Sequence, residues 1–202
     1  MTWNDIPEID LFSDGGAEPN PGKGGFAIIL SYKGNKKEFS QGYRLTTNNR
    51  MELMGVIYGL GRLKTKSIVN VYSDSRYVID GITKGWAEKW KANNWYRTKT
   101  EKAVNYDLWQ ILLDLISNQQ SVKFNWIRGH AGHPENERCD ELARIASNSA
   151  SLLGDTVYEE NLFEETGLEY NPSISGTNYT EKLSIPERDY QHKKRGRSLQ
   201  KM

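Results

Sequence analysis

The hydrophobic pattern changes period several times along the chain, and each change marks an element. Ile9 to Ser13 reads as a short strand. After a turn-rich stretch, the runs Phe26 to Tyr32 and Lys37 to Tyr43 flank a Gly34-Asn35 turn signal and predict an antiparallel three-strand meander. Leu53, Val56, Ile57, Leu60 and Leu63 fall on one face of a helix that Asn48 or Asn49 can cap. Ile68 to Ser73 returns as a strand, so this unit is a crossover to a parallel strand. Ser75 opens a short helix, Trp86 to Asn93 a second, and Val104 to Ile116 a third, with Leu108, Ile111, Leu112 and Leu115 on one stripe. Val122 to Ile127 is the last strand. A final helix from Glu137 to Ser149 turns Cys139, Leu142, Ala143 and Ala146 to the core, with Asp140 in its first turn. After Leu153 the periodicity lapses into Gly, Asn, Ser, Thr and charge, a composition that buries too little surface to offset its ordering entropy. The expected organisation is one domain over residues 1–154 and a disordered extension over most of 155–202.

Composition narrows this picture. A chain of 202 residues with 37% apolar side chains buries one ordinary core and has no length for a second large domain. The net charge of +1 conceals opposite blocks: residues 84–102 hold six Lys or Arg against two Glu, 155–181 hold seven acids and no Lys or Arg, and 188–202 hold six basic residues against one Asp. Cys139 is the single cysteine, so no internal disulfide forms, and three histidines leave no Cys/His zinc pattern. The start MTWNDIPEID lacks the basic and apolar regions of a secretory signal, and no apolar run reaches the length of a membrane span. A soluble, cytoplasmic protein with no membrane partner is expected.

Four carboxylates stand at element boundaries: Asp14 and Asp74 after strands, Glu52 and Asp140 in the first turns of helices. In open α/β sheets functional groups gather at the carboxyl ends of strands. Four acids brought together repel by about 4 kcal/mol per neighbouring pair at an effective dielectric near 20, so bound cations or shared protons must hold them. Oxygen donors without His or Cys select Mg²⁺ or Mn²⁺, and two such ions activate water and stabilise the leaving oxygen of a phosphodiester. Taken singly, each acid is as well explained by a turn or a helix N-terminus. The combination in one chain order reverses that balance.

The phrases DGGAEPNPGKGGFAIIL, TTNNRMELMGVI, YSDSRYV, GITKGW and GHAGHPENERCDELA, spread over residues 8–150, resemble those of bacterial-type ribonuclease H, type 1. The resemblance implies an α/β, ribonuclease H-like fold with a five-stranded mixed sheet in the order 3-2-1-4-5. It implies a monomeric endonuclease that cuts the RNA strand of RNA/DNA hybrids to 5′-phosphate and 3′-hydroxyl ends, with Mg²⁺ as cofactor and Mn²⁺ as a substitute. It also makes Asp14, Glu52, Asp74 and Asp140 the metal-binding catalytic carboxylates, and His130, in the GHAGH loop, a catalytic residue assisting proton transfer or product release. Asn20, Asn48 and Asn49 match positions that contact the hybrid backbone, and Thr47 matches a residue of a DNA-phosphate pocket. Only the 2′-hydroxyl distinguishes RNA from DNA at a given position, and neutral amides suit its recognition. Arg76 stands where glutamine is common in the family.

Between Lys84 and Lys102 basic residues alternate with Trp86, Trp90 and Trp95, and resemble a protrusion that lies against the DNA strand. Lys89, Lys91 and Lys99 would neutralise phosphates there while Trp86 and Trp95 pack on sugars or bases. Trp90 is the one of the three that reads better as core, and Gly85 looks like an insertion that bears on the orientation of Trp86. The competing class is a nucleic-acid binding protein that does not cut. Its mark would be a lost carboxylate, and all four are present.

Overall fold

The computed structural model describes residues 6–166. Five strands, β1 (Glu8–Ala17), β2 (Gly22–Tyr32), β3 (Asn35–Thr46), β4 (Ile68–Ser73) and β5 (Ser121–Trp126), form one sheet in the order β3-β2-β1-β4-β5. β1, β2 and β3 pair antiparallel, whereas β4 runs parallel to β1 and to β5. Six helices complete the described residues: α1 (Asn48–Gly61), α2 (Arg76–Thr83), α3 (Trp86–Ala92), α4 (Tyr106–Ser117), α5 (Pro134–Ser147) and α6 (Thr156–Thr166). The expected fold class and strand order are both present.

Alternation along β2 makes the layers. Phe26 and Ile28 enter a core shared with Leu11, Val69 and Val71 of the sheet, Met51, Leu53, Val56 and Leu60 of α1, and Leu108, Trp109 and Leu112 of α4. Ala27 and Ile29 point to the other face and pack on Cys139 and Ala143 of α5. A strand covered on both faces reads as an unbroken apolar run, as Phe26 to Leu30 does.

Several boundaries differ from those the sequence predicts. The hairpin turn is Lys33-Gly34, one residue earlier than Gly34-Asn35, because Tyr32 pairs with Asn35 and both loop residues take positive φ, 48° and 80°, the twist a two-residue hairpin needs. β1 continues through Asp14 to Ala17, since Gly24 to Ala27 of β2 supply a ladder there despite the low strand propensity of glycine. Thr47, not Asn48 or Asn49, caps α1, so Glu52 lies in its second turn. α5 starts at Pro134, whose missing N–H is one the first turn leaves unpaired in any case, and Asp140 is likewise in the second turn. On α4 Trp109 is buried with Leu108 and Leu112, whereas Ile111, expected on that stripe, is 47% exposed; the Trp109 indole N–H donates to the Tyr77 hydroxyl at 3.0 Å, which satisfies it inside the core.

The larger correction concerns residues 155–166, expected to be disordered. They form a short approach and helix α6, with Asp155 and Glu159 buried against Arg50 and Arg44. An acidic run reads as solvated unless its distant cations are known, which is why periodicity missed it. The remainder of the expected extension, 167–202, lies outside the described residues.

Candidate active site

Strand register brings the first two acids together. Phe12 of β1 pairs with Tyr72 of the parallel strand β4, so Asp14 and Asp74, each two residues further on, stand side by side on one face. The third acid arrives because β1 and α1 touch: a Cβ on Gly15 would meet the Met51 carbonyl carbon at 2.6 Å and the Glu52 nitrogen at 2.9 Å. Only glycine allows that approach, and it carries Glu52 over the sheet. One oxygen from each of Asp14, Glu52 and Asp74 lies within 4.8 Å of the others. Asp140 lies outside that group; it is exposed on α5 and lines the same cleft as Asp14 and Asn48.

Electrostatics set the chemistry of the cluster. Burial, and then the Asp74 charge, push the Asp14 carboxyl from 3.8 up to about 7, against the opposing hydrogen bond from the Gly15 N–H. Asp140 pushes it further up and His130 pulls it back, so both are close enough to act on Asp14. Glu52 is raised well above the usual carboxylate range by burial first and by Asp14 and Asp74 next. Among the described residues three buried side-chain atoms lack a hydrogen-bond partner: Ser13 Oγ, Glu52 Oε2 and Asn136 Oδ1. The first adjoins Asp14, the second belongs to the cluster, and the third sits on the amide that faces Asp74. An unpaired buried polar atom costs about 1–3 kcal/mol, so their concentration here marks a region shaped for something other than stability.

Three residues that position the acids were not apparent in the sequence. Asn136, 3% exposed in the first turn of α5, donates from Nδ2 to Asp74 Oδ2 at 3.4 Å. Trp126 donates from its indole N–H to the Asp74 carbonyl at 3.0 Å and steadies the end of β4. Gly129 passes so close to Asp74 that a Cβ would collide with Asp74 Oδ2. None has a local signal: Asn136 looks like a helix-start residue, Trp126 like a strand end, and Gly129 like any loop glycine. Gly129→Ala is accordingly expected to swing the Asp74 carboxylate aside and lower kcat by about tenfold, a barrier change of ~1.4 kcal/mol. The melting temperature should move little; a variant with unaltered kcat would show the close approach to be inconsequential.

The expected substrate residues divide into two groups. Of the first group Asn48 lines the cleft, with Asn20 and Thr47 beside it: the Asn48 N–H donates to Asn20 Oδ1 at 3.1 Å, Asn48 Oδ1 accepts from the Ala17 N–H at 2.6 Å, and the Thr47 hydroxyl accepts from the Arg50 N–H at 3.4 Å. Asn49 is half-buried beside them. Arg76, exposed at the start of α2, lies with its guanidinium carbon 3.5 Å from the centroid of the Trp126 ring. The second group is on and after α3. Trp90 packs edge-on to Trp109 with centroids 6.0 Å apart and joins the core, as expected. Trp86 is half-buried against Trp90, and Trp95 lies against the core and Tyr106. Gly85 takes φ 66° as the residue before α3. Lys89, Lys91 and Lys99 are exposed, Lys91 bonding Asp114 at 3.0 Å. His130 is exposed with φ 51° in the loop before α5.

Fold and site together define an enzyme of the class that gathers carboxylates over the centre of a mixed α/β sheet. The RNase H family model matches residues 7–148. Ribonuclease H of Desulforamulus reducens is 54% identical over 147 residues, 73% of this chain and 92% of that protein. Ribonuclease H of Rippkaea orientalis is 53% identical over 162 residues, 80% of this chain and 99% of that protein. Among solved structures, LC9-RNase H1, a type 1 RNase H with the type 2 active-site motif, superposes with a TM-score of 0.65 at 27% identity, covering 88% of this chain and 92% of that one. LC11-RNase H1, solved in complex with an RNA/DNA hybrid, shares the fold with a TM-score of 0.55 at 22% identity over 69% of this chain and 96% of its own. The chain belongs to the type 1 ribonuclease H family.

Proposed function

We propose that this protein cuts the RNA strand of RNA/DNA hybrids endonucleolytically, leaving 5′-phosphate and 3′-hydroxyl ends, with Mg²⁺ held by Asp14, Glu52, Asp74 and Asp140. The single observation that carries the reading is the close group of Asp14, Glu52 and Asp74 with an enclosed Glu52 oxygen that no donor satisfies. All-oxygen donors of this kind fit Mg²⁺, with Mn²⁺ able to substitute, because both are hard cations that keep water and substrate oxygens in their shells. When bound, such ions lower the pKa of water and neutralise charge on the phosphodiester oxygens.

The chain's own residues do the rest. Asn136 and Trp126 orient Asp74, and the Gly15 N–H at 2.7 Å orients Asp14. His130, on an exposed loop and near enough to affect Asp14, carries a proton to or from the site or eases product out. Asn20, Asn48 and Asn49 read the hybrid backbone, Thr47 with its neighbours grips a DNA phosphate, and Arg76 meets the strand beside Asp74. The protrusion bearing Trp86, Lys89, Lys91, Trp95 and Lys99 lies against the DNA strand. The protein works as a monomer in the cytoplasm, where a single buried cysteine, Cys139, has no partner to find. Among the described residues no helix is long and apolar enough to cross a membrane.

The test is cleavage of an end-labelled RNA strand that is single, paired with RNA, or paired with DNA, with Mg²⁺ and with excess chelator. Hybrid-only cutting that the chelator stops is expected. Tight hybrid binding with no cutting in Mg²⁺ or Mn²⁺ would favour the binding-module alternative. For the protrusion, replacing Lys89, Lys91 and Lys99 by Ala together is expected to raise KM and to flatten its dependence on salt, by about 0.9 in logarithmic slope for each phosphate that a lysine no longer neutralises. An unchanged slope would remove those lysines from the interface.

A further inference from the structure

We propose that Asp155 and Glu159, on the segment that ends in α6, are positioning residues for the hybrid-binding corner: through Arg50 and Arg44 they fix the β3–α1 junction that carries Thr47, Asn48 and Asn49. The inference rests on the proposed function, in which this junction touches the hybrid. It concerns residues beyond the stretch 7–148 that the family model matches.

The chain after α5 is first tied to the edge strand. The Leu153 N–H donates to the Gly42 carbonyl at 3.0 Å, and the Arg44 N–H donates to the Leu153 carbonyl at 2.9 Å. That pairing delivers Asp155 to the end of β3. There Asp155 Oδ2 accepts from the Thr46 hydroxyl at 2.7 Å and from Arg50 Nε at 2.6 Å, while its Oδ1 accepts from Arg50 Nη2 at 2.8 Å. Asp107 of α4 completes the set, its two oxygens accepting from Arg50 Nη1 at 3.1 Å and Nη2 at 2.8 Å. One turn later Glu159, fully buried, accepts from Arg44 Nε at 3.0 Å and Nη2 at 2.6 Å. The Glu159 N–H donates to the Asp155 carbonyl at 2.8 Å, which joins the two acids into one rigid turn, and the Tyr158 ring lies 5.9 Å from the Arg50 guanidinium.

Arg44 and Arg50 therefore bracket the junction, one on each side, and a single turn of the C-terminal segment holds both. A bidentate arginine–carboxylate pair fixes orientation as well as distance, and burial removes the water that would let it slide. What the two clamps fix passes on to the site. Asn48 receives the Ala17 N–H and donates its own to Asn20, so a shift of the junction moves both amides that face the hybrid. Glu52, one turn further along α1, shares the same rigid helix but is held separately by the close approach at Gly15. The clamps should accordingly govern substrate affinity more than turnover.

The experiment uses the full chain with Glu159→Gln, Asp155→Asn, Asn48→Ala and the Glu159→Gln/Asn48→Ala double variant, assayed on a hybrid well below each melting temperature. Glu159→Gln is expected to raise KM about fivefold while kcat stays within about twofold, the signature of weakened binding common to ground and transition states. Asn48→Ala should then have a clearly smaller effect on KM in the Glu159→Gln background than in the wild type, since an amide already displaced has less to lose. Amide hydrogen exchange should quicken at residues 47–50 and not in α5. A lower melting temperature with KM unchanged, or effects of the two substitutions that multiply, would overturn the proposal and leave α6 a stabilising strap. Should Asp155→Asn fail to fold, Glu159→Gln carries the test. Absence of hybrid cleavage by the wild type would defeat the proposed function instead, and exchange at residues 47–50 would still report on the clamps.

Discussion

Asp14→Asn is expected to abolish hybrid cleavage and, in the metal-free protein, to raise the melting temperature. The loss of activity should reach about three orders of magnitude in kcat, ~4 kcal/mol of barrier, since an amide can neither bind the cation as a carboxylate does nor compensate its charge. The gain in stability follows from crowding. Asp14 is pushed up to about 7 by burial and by Asp74, so at neutral pH the folded protein holds a half-charged acid that the unfolded chain would ionise freely. Protons are bound more tightly folded than unfolded; the stability contribution is therefore complete below about pH 4 and is lost as pH rises through about 7. Relieving that penalty should gain about 2 kcal/mol at pH 8, or ~4–8 °C. Melts of both proteins in chelator at pH 4, 6 and 8 check it: the difference between them should widen with pH, and Mg²⁺ should narrow it by stabilising only the wild type. A variant that melts lower than the wild type at pH 8 would mean that the cluster is not strained.

Arg50→Ala is expected to have the largest effect on stability of any single substitution outside the hydrophobic core. Arg50 is 3% exposed and holds two carboxylates, Asp107 and Asp155, from one guanidinium. Burial disfavours its charged form, and the hydrogen bonds to Asp107 and Asp155 more than offset that cost, so the guanidinium is held charged even more firmly than usual. Deleting the cation leaves two acids facing each other with no counter-charge, a change that costs about 3–5 kcal/mol. The midpoint of urea unfolding should fall in proportion, and the melting temperature by ~10 °C. The surface pair Lys36–Glu135 provides the contrast: with side chains 51% and 23% exposed, its removal should cost under about 1 kcal/mol. Similar losses at the two places would refute the idea that burial decides the weight of the Arg50 network.

Much of the site is legible in the sequence because its pieces are local. VYSDS and the GHAGH loop join a strand end to a polar turn, FSDGG lies within β1, and strand alternation alone puts Asp14 and Asp74 on one face once β1 and β4 are neighbours. Asn136, Trp126 and Gly129 are not legible there, because each acts on Asp74 across 62, 52 or 55 positions of chain that no local period spans. The protrusion is half legible. Its alternating Lys and Trp are plain, yet whether an indole faces substrate or core depends on Trp109 and Tyr106, which pack against Trp90 and Trp95 from α4.

By itself the sequence determined the layered α/β plan, the number and sequence order of the strands, and the four carboxylates with their oxygen-only chemistry. It could do so because side-chain period and acid identity are properties of short stretches. The tertiary structure alone decided that three of the acids crowd within 4.8 Å while Asp140 stands apart on an exposed turn, and that Asp155 and Glu159 are interior residues. Those outcomes depend on partners far away in the chain: Arg50 meets Asp155 across 105 positions and Arg44 meets Glu159 across 115. A run of acids looks solvated until the fold supplies the cations that bury it, and charge pairing at such separation is set by packing rather than by pattern.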